Sequence, residues 1–150
     1  MLSFAVSMLA SVALANEPNP PNWDTSRVFV MIPGDSQAQT TINRVLSEMG
    51  GNNPEFHGQF SNSRYAFLFE AGVHNLNVEI GFYTTVHGVG RTPADTTLAN
   101  LMTQQGGGSA LCNFWRSAEN VRMKPASGTS MLWAVSQACP LRRVQIDGDL

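Results

Sequence analysis

After Met49 the chain never again shows the apolar periodicity of a helix. It breaks instead into short runs of β-branched, aromatic and aliphatic residues, cut by Gly, Asn, Pro and Thr. Such runs can bury their apolar faces only by closing into a sandwich, a barrel or a solenoid. The clearest are Arg27–Ile32, Arg64–Glu70, Val73–Ile80 and Phe82–Val89, with shorter ones inside Leu111–Met123 and Met131–Ile146. The polar stretch after Arg91-Thr92-Pro93, with Gly106-Gly107-Gly108, reads as a loop. A hydrophobic fraction of 43% in 150 residues supports one core, whereas 13% charged residues rules out a charge-rich tail or a salt-bridged coiled coil. The net charge of −2 supplies no basic footprint, so no nucleic-acid partner is expected.

One helix precedes the strands. Ile42, Val45, Leu46 and Met49 form a single apolar stripe, Ser36-x-x-Gln39 has the form of a capping box, and Gly50-Gly51 ends the element. A short one-sided helix must lie against something larger. Ahead of it, residues 2–14 are apolar or small and uncharged, and Ala13-Leu14-Ala15 has the form of a cleavage site before Asn16-Glu17-Pro18. Residues 1–15 are therefore expected to be a secretory signal peptide and 16–150 the mature domain, extracellular and without a membrane span.

A faint repeat selects among the β architectures. Asn120-Val121-Arg122-Met123 and Arg143-Val144-Gln145-Ile146 share an x-apolar-x-apolar form 23 residues apart, and Thr85-Val86-His87-Gly88 resembles them 35 residues earlier. One strand per 20–30 residues suits the coils of a parallel β-helix. In that register Arg142 falls beside Glu119. Cys112 falls beside Val135, four residues short of Cys139. Four residues along a strand is roughly 13 Å, beyond the reach of a disulfide, so both thiols are expected to be free.

The order of elements carries a resemblance. A strand, a short helix over Gln39–Met49, a loop and then Arg64-Tyr65-Ala66-Phe67-Leu68-Phe69-Glu70-Ala71-Gly72-Val73-His74 resembles the opening of pectate-lyase-like right-handed parallel β-helices, where the helix caps the solenoid. Val86-His87-Gly88-Val89-Gly90 matches the end of that superfamily's first coil. Ala71 stands where proline is usual and His74 where an aromatic residue is usual. A narrower resemblance rests on Asn22-Trp23-Asp24, Gly81-Phe82-Tyr83-Thr84, Gly88-Val89-Gly90-Arg91-Thr92-Pro93, Asn113-Phe114-Trp115-Arg116-Ser117-Ala118-Glu119-Asn120 and Trp133-Ala134-Val135-Ser136-Gln137-Ala138. These phrases are similar to a group of secreted β-helix proteins labelled adenylyl cyclase or discoidin-type (coagulation factor five/eight). The chain has neither a Gly-rich phosphate loop nor a carboxylate pair for magnesium to support a cyclase. The resemblance implies an all-β, right-handed parallel β-helix with an N-terminal capping helix. It also implies a truncated N-terminal portion that could self-associate through an uncapped last coil. By analogy of fold the whole protein would be a glycosidase or lyase engaging extracellular polysaccharide. The alternatives are a non-catalytic binding or structural module and a fragment without activity of its own.

The residues that could meet a ligand are Trp115, Arg116, Glu119 and Arg142: a stacking ring, two planar donors and a carboxylate. The competing reading places Phe114 and Trp115 in the core and pairs Arg116 with Glu119. Glu119 with Asp147 or Asp149 would be a conceivable hydrolytic pair in adjacent coils. His57, His74 and His87 are too scattered for a metal site, Ser136 lacks a nucleophile elbow, and no cofactor is implied.

Overall fold

The computed structural model describes residues 24–50, 57–103, 113–133 and 136–150, and over these the chain is a parallel β-solenoid. The described strands are β1 (Val28–Met31), β2 (Tyr65–Phe69), β3 (Gly72–Ile80), β4 (Thr84–Gly88), β5 (Thr96–Thr103), β6 (Asn113–Phe114), β7 (Ser117–Glu119), β8 (Arg122–Met123), β9 (Ser136–Gln137), β10 (Leu141–Arg142) and β11 (Gln145–Ile146). They form three parallel sheets, ordered β1-β2-β4-β7-β10, β3-β5-β8-β11 and β6-β9. The chain passes from sheet to sheet and returns one strand further along, so neighbours in a ladder come from successive coils.

The 23-residue period is the true register of the last coils. Ala118 pairs with Leu141, Glu119 with Arg142, Arg122 with Gln145, Met123 with Ile146 and Asn113 with Ser136. The earlier echo is corrected. Thr85, Val86 and His87 pair with Ser117, Ala118 and Glu119, an offset of 32 and not 35 residues. The loop expected after Pro93 is also corrected in part. Thr96–Thr103 is a strand, held between β3 on one side and β8 on the other. Its Thr and Asn content conceals it, because its polar groups are satisfied by the neighbouring coils. The glycine triplet and Cys112 lie outside the described residues, and so does the expected signal peptide.

Alternation builds the core. In the largest sheet Phe29, Phe67, Val86, Ala118 and Leu141 share one inward row, and Met31 and Phe69 begin the next. Leu98 and Met123 face them from the second sheet. Two sets of corners recur in register with left-handed backbone. Tyr83, Trp115 and Ala138 have φ of 51°, 58° and 51°, while Asn120 and Arg143 have φ of 56° and 51°.

The helix α1 (Ala38–Met49) buries Ala38, Ile42, Val45 and Met49 against the first coils. The expected capping box is not made. The N-cap is Gln37, whose backbone N–H donates to Asp35 Oδ1 at 2.8 Å. Gln39 is used elsewhere. Its amide oxygen accepts from Asn77 N at 2.8 Å and its nitrogen donates to Asn77 O at 3.1 Å. These bonds fall where the β3–β5 register slips between His74 and Asn77. The helix thus satisfies backbone groups that the ladder leaves open. No helix among the described residues is long and apolar enough to cross a membrane.

Candidate functional site

The outward face of the β1-β2-β4-β7-β10 sheet gathers most of the chemistry. Two outward rows cross it. Val28, Ala66, Thr85 and Ser117 form the first, small-residue row. Leu68, His87, Glu119 and Arg142 lie in the second, two residues further along the strands.

In the second row Arg142 Nη2 lies 2.7 Å from Glu119 Oε1, and His87 Nδ1 lies 4.0 Å from Glu119 Oε2. His87 Nε2 is 3.2 Å from Thr85 Oγ1. The Arg142 side chain is 70% exposed, so water screens the pair and it adds little to stability. It does hold a carboxylate and a guanidinium side by side on the surface.

The other flank is aromatic. Register places Arg64, Tyr83 and Trp115 in successive coils, each just before a strand of this sheet. The Arg64 guanidinium carbon sits 3.6 Å from the Tyr83 ring centre, and Tyr83 stacks on Trp115 at 5.1 Å with 4° between planes. Cation–π attraction and parallel ring contact lock this ladder. It walls an open cleft of about 370 Å³ whose floor includes Val28, Ala66 and Thr85.

Of the four residues singled out from sequence, Trp115, Glu119 and Arg142 reach this face. Arg116 does not, and it is 1% exposed. With Trp115 in left-handed backbone and in the cleft wall, the next side chain turns inward. Arg116 lies 4.7 Å from the Phe82 ring centre, and its Nε and Nη1 have no hydrogen-bond partner among the described residues. Burial pulls its pKa down to about 10, opposed in part by the Glu79 carboxylate. The alternative pairing of Arg116 with Glu119 is likewise not formed, since Glu119 belongs to Arg142. Burial raises the Glu79 carboxyl above its ordinary range, and the Arg116 charge opposes that.

The conceivable carboxylate pair is also separated. Asp147 follows β11 in the second sheet and bonds Arg122 Nε at 2.5 Å, so it does not share the Glu119 face. Asp149 bridges to Ser130 through the backbone. No group of three metal-ligating side chains occurs among the described residues. Sequence reading passed over Arg64 and Tyr83, and weighed His87 only as a metal ligand. The available signal was an aromatic or arginine residue one or two positions before β2, β4 and β7, visible only when the coil offsets are known.

A parallel β-solenoid with an aromatic and ionic cleft on its largest sheet is the class these observations define. No family model matches the chain. It is 41% identical over 127 residues to an exo-β-1,3-glucanase of Streptomyces sp. (strain SirexAA-E / ActE), covering 82% of this chain and 20% of that enzyme. The solved structure of sacteLam55A from Streptomyces sp. SirexAA-E superposes with a TM-score of 0.70 at 37% identity, over 81% of this chain and 22% of that one. A variant of sacteLam55A refined in complex with glucose gives 0.69 at 38% identity, with the same coverage. The chain thus spans about a fifth of the length of the relatives it matches. The likeness is to a glucanase, and these comparisons lend no support to the adenylyl cyclase and discoidin-type labels.

Proposed function

We propose that this chain is the N-terminal portion of a secreted glycosidase acting on β-1,3-glucan. The observation that carries the reading is the 41% identity over 127 residues to an exo-β-1,3-glucanase, together with a shared solenoid. Trp115, Glu119 and Arg142 contact the carbohydrate. Residues 1–15 direct export and are removed. A second reading, a non-catalytic binding module, is favoured by one feature. Glu119 is tied to Arg142, and Asp147, the partner considered for it, follows a strand of the other sheet, whereas glycoside hydrolysis uses two neighbouring carboxylates.

Two measurements test this. The product of the gene's full reading frame should release glucose from laminarin, and the 150-residue chain should be retained on insoluble β-1,3-glucan. Retention without hydrolysis moves the function to the binding module. Neither retention nor hydrolysis overturns both readings.

A further inference from the structure

We infer that the outer face of the β1-β2-β4-β7-β10 sheet is a single non-catalytic groove for an unbranched, uncharged β-glucan chain, running along the solenoid axis across the coils. The inference rests on the glucan reading above and adds the site, its direction and its chemistry.

The direction follows from register. Ala66, Thr85 and Ser117 lie side by side in three consecutive strands, with Val28 completing the row. Four strands at about 4.8 Å spacing give a floor of roughly 14 Å, longer than one sugar ring. Small side chains keep this floor low. On one side it is bounded by the Arg64–Tyr83–Trp115 ladder, on the other by His87, Glu119 and Arg142. The trough between these rows crosses the strands, so its occupant must be linear and extended along the axis.

The chemistry follows from the walls. Aromatic surface suits the C–H faces of pyranose rings. Trp115 is 40% exposed, and among the described residues only Tyr83 stacks parallel on it. The next residue in that corner series is Ala138, whose methyl leaves room beside the indole. The paired Glu119 and Arg142 offer an acceptor and several donors to hydroxyl groups while cancelling in charge. Glu119 and Arg142 cancel and the Arg64 guanidinium is engaged over the Tyr83 ring, so the walls suit a neutral glucan. The groove is assigned to binding because Glu119, the carboxylate of its wall, is already held by Arg142 at 2.7 Å, whereas hydrolysis uses two carboxylates about 5–10 Å apart.

The test uses the 150-residue chain and laminarihexaose as probe, with affinity read by calorimetry and location by amide chemical shifts. Thr85→Phe fills the floor from the solvent side, and Trp115→Ala removes the wall. Each should weaken binding by about ten-fold or more, while Lys124→Ala, on the second sheet's side, leaves it unchanged. If Thr85→Phe perturbs folding, as judged by circular dichroism, Ser117→Tyr replaces it. Hexaose binding within about two-fold of the parent in both floor variants overturns the groove, yet leaves the glucan reading standing. Failure of the parent to bind hexaose, with glucose release by the full product intact, overturns the groove alone. Failure of both overturns the function as well.

Discussion

Asn120 ties two coils together. It is 8% exposed, its backbone is left-handed, and its amide nitrogen donates to the carbonyls of Gly88 and Gly90, each at 2.8 Å. Asn tolerates this conformation better than most residues. Asn120→Gly keeps the backbone but loses both bonds and should cost about 2–3 kcal/mol. Asn120→Ala adds about 1 kcal/mol of backbone strain, so thermal unfolding should rank Ala below Gly below the parent. Arg116 gives the opposite expectation. Burial depresses its pKa to about 10, so at neutral pH Arg116 stays charged and the fold bears a desolvation cost that the unfolded chain does not. That penalty fades only as pH rises through 10 toward the ordinary guanidinium range. Arg116→Met should therefore be neutral or stabilising by about 1 kcal/mol or more, with the gain shrinking at alkaline pH. A fall of several degrees in the melting temperature would show that the guanidinium supports the corner. Of the four residues chosen from sequence, three were legible because the 23-residue period put Glu119 beside Arg142 and the local pattern drew attention to Trp115. The burial of Arg116 was not legible, because it depends on the left-handed turn at Trp115.

At the scale of elements, α1 is fastened to the solenoid at both ends. Near its start Gln39 bonds both backbone groups of Asn77. Gln39→Ala should cost about 1–2 kcal/mol. It should also raise amide exchange at Asn77 specifically, and unchanged exchange there would refute the docking role. Near its end Gly58 and Gly81 leave no room for a Cβ against the Met49 carbonyl, so Gly81→Ala should displace the helix terminus. Between these, the Tyr65 hydroxyl donates to Glu48 Oε2 at 2.6 Å. That bond lowers the Glu48 pKa below its usual 4.5, and burial followed by the same bond raises Tyr65 above 10.0. For Glu48 the sign is that of a depressed acid. The contribution is complete above the unfolded carboxyl range and is lost as pH falls through the lowered value. The melting-temperature difference between the parent and Tyr65→Phe should thus be widest near neutral pH and close in acid below about pH 4. The helix and the strands β1 to β4 were legible from apolar periodicity. β5 was not, because Thr96–Thr103 becomes a strand through pairing with β3 and β8 and not through its own propensity.

At the scale of the whole molecule, stability should be graded along the axis. Each coil of a solenoid touches only its neighbours, so coils open nearly independently. The early coils have strands of five to nine residues in β2, β3, β4 and β5 and the helix packed on them, whereas β10 and β11 have two residues each. Native-state hydrogen exchange should show the slowest amides in β2 to β5 and the fastest in β10 and β11, and uniform protection would mean that the coils unfold as one unit. What the sequence determined alone was the helix ending at Met49, the apolar runs that become β1 to β4, and the 23-residue step between the last coils. These are local signals, written in the side chains that carry them. Tertiary structure alone decided the 32-residue offset before those coils, because a connection can lengthen without altering the strands it joins. That offset brings Tyr83 onto Trp115 and His87 beside Glu119. The cleft therefore exists only once the coils are stacked.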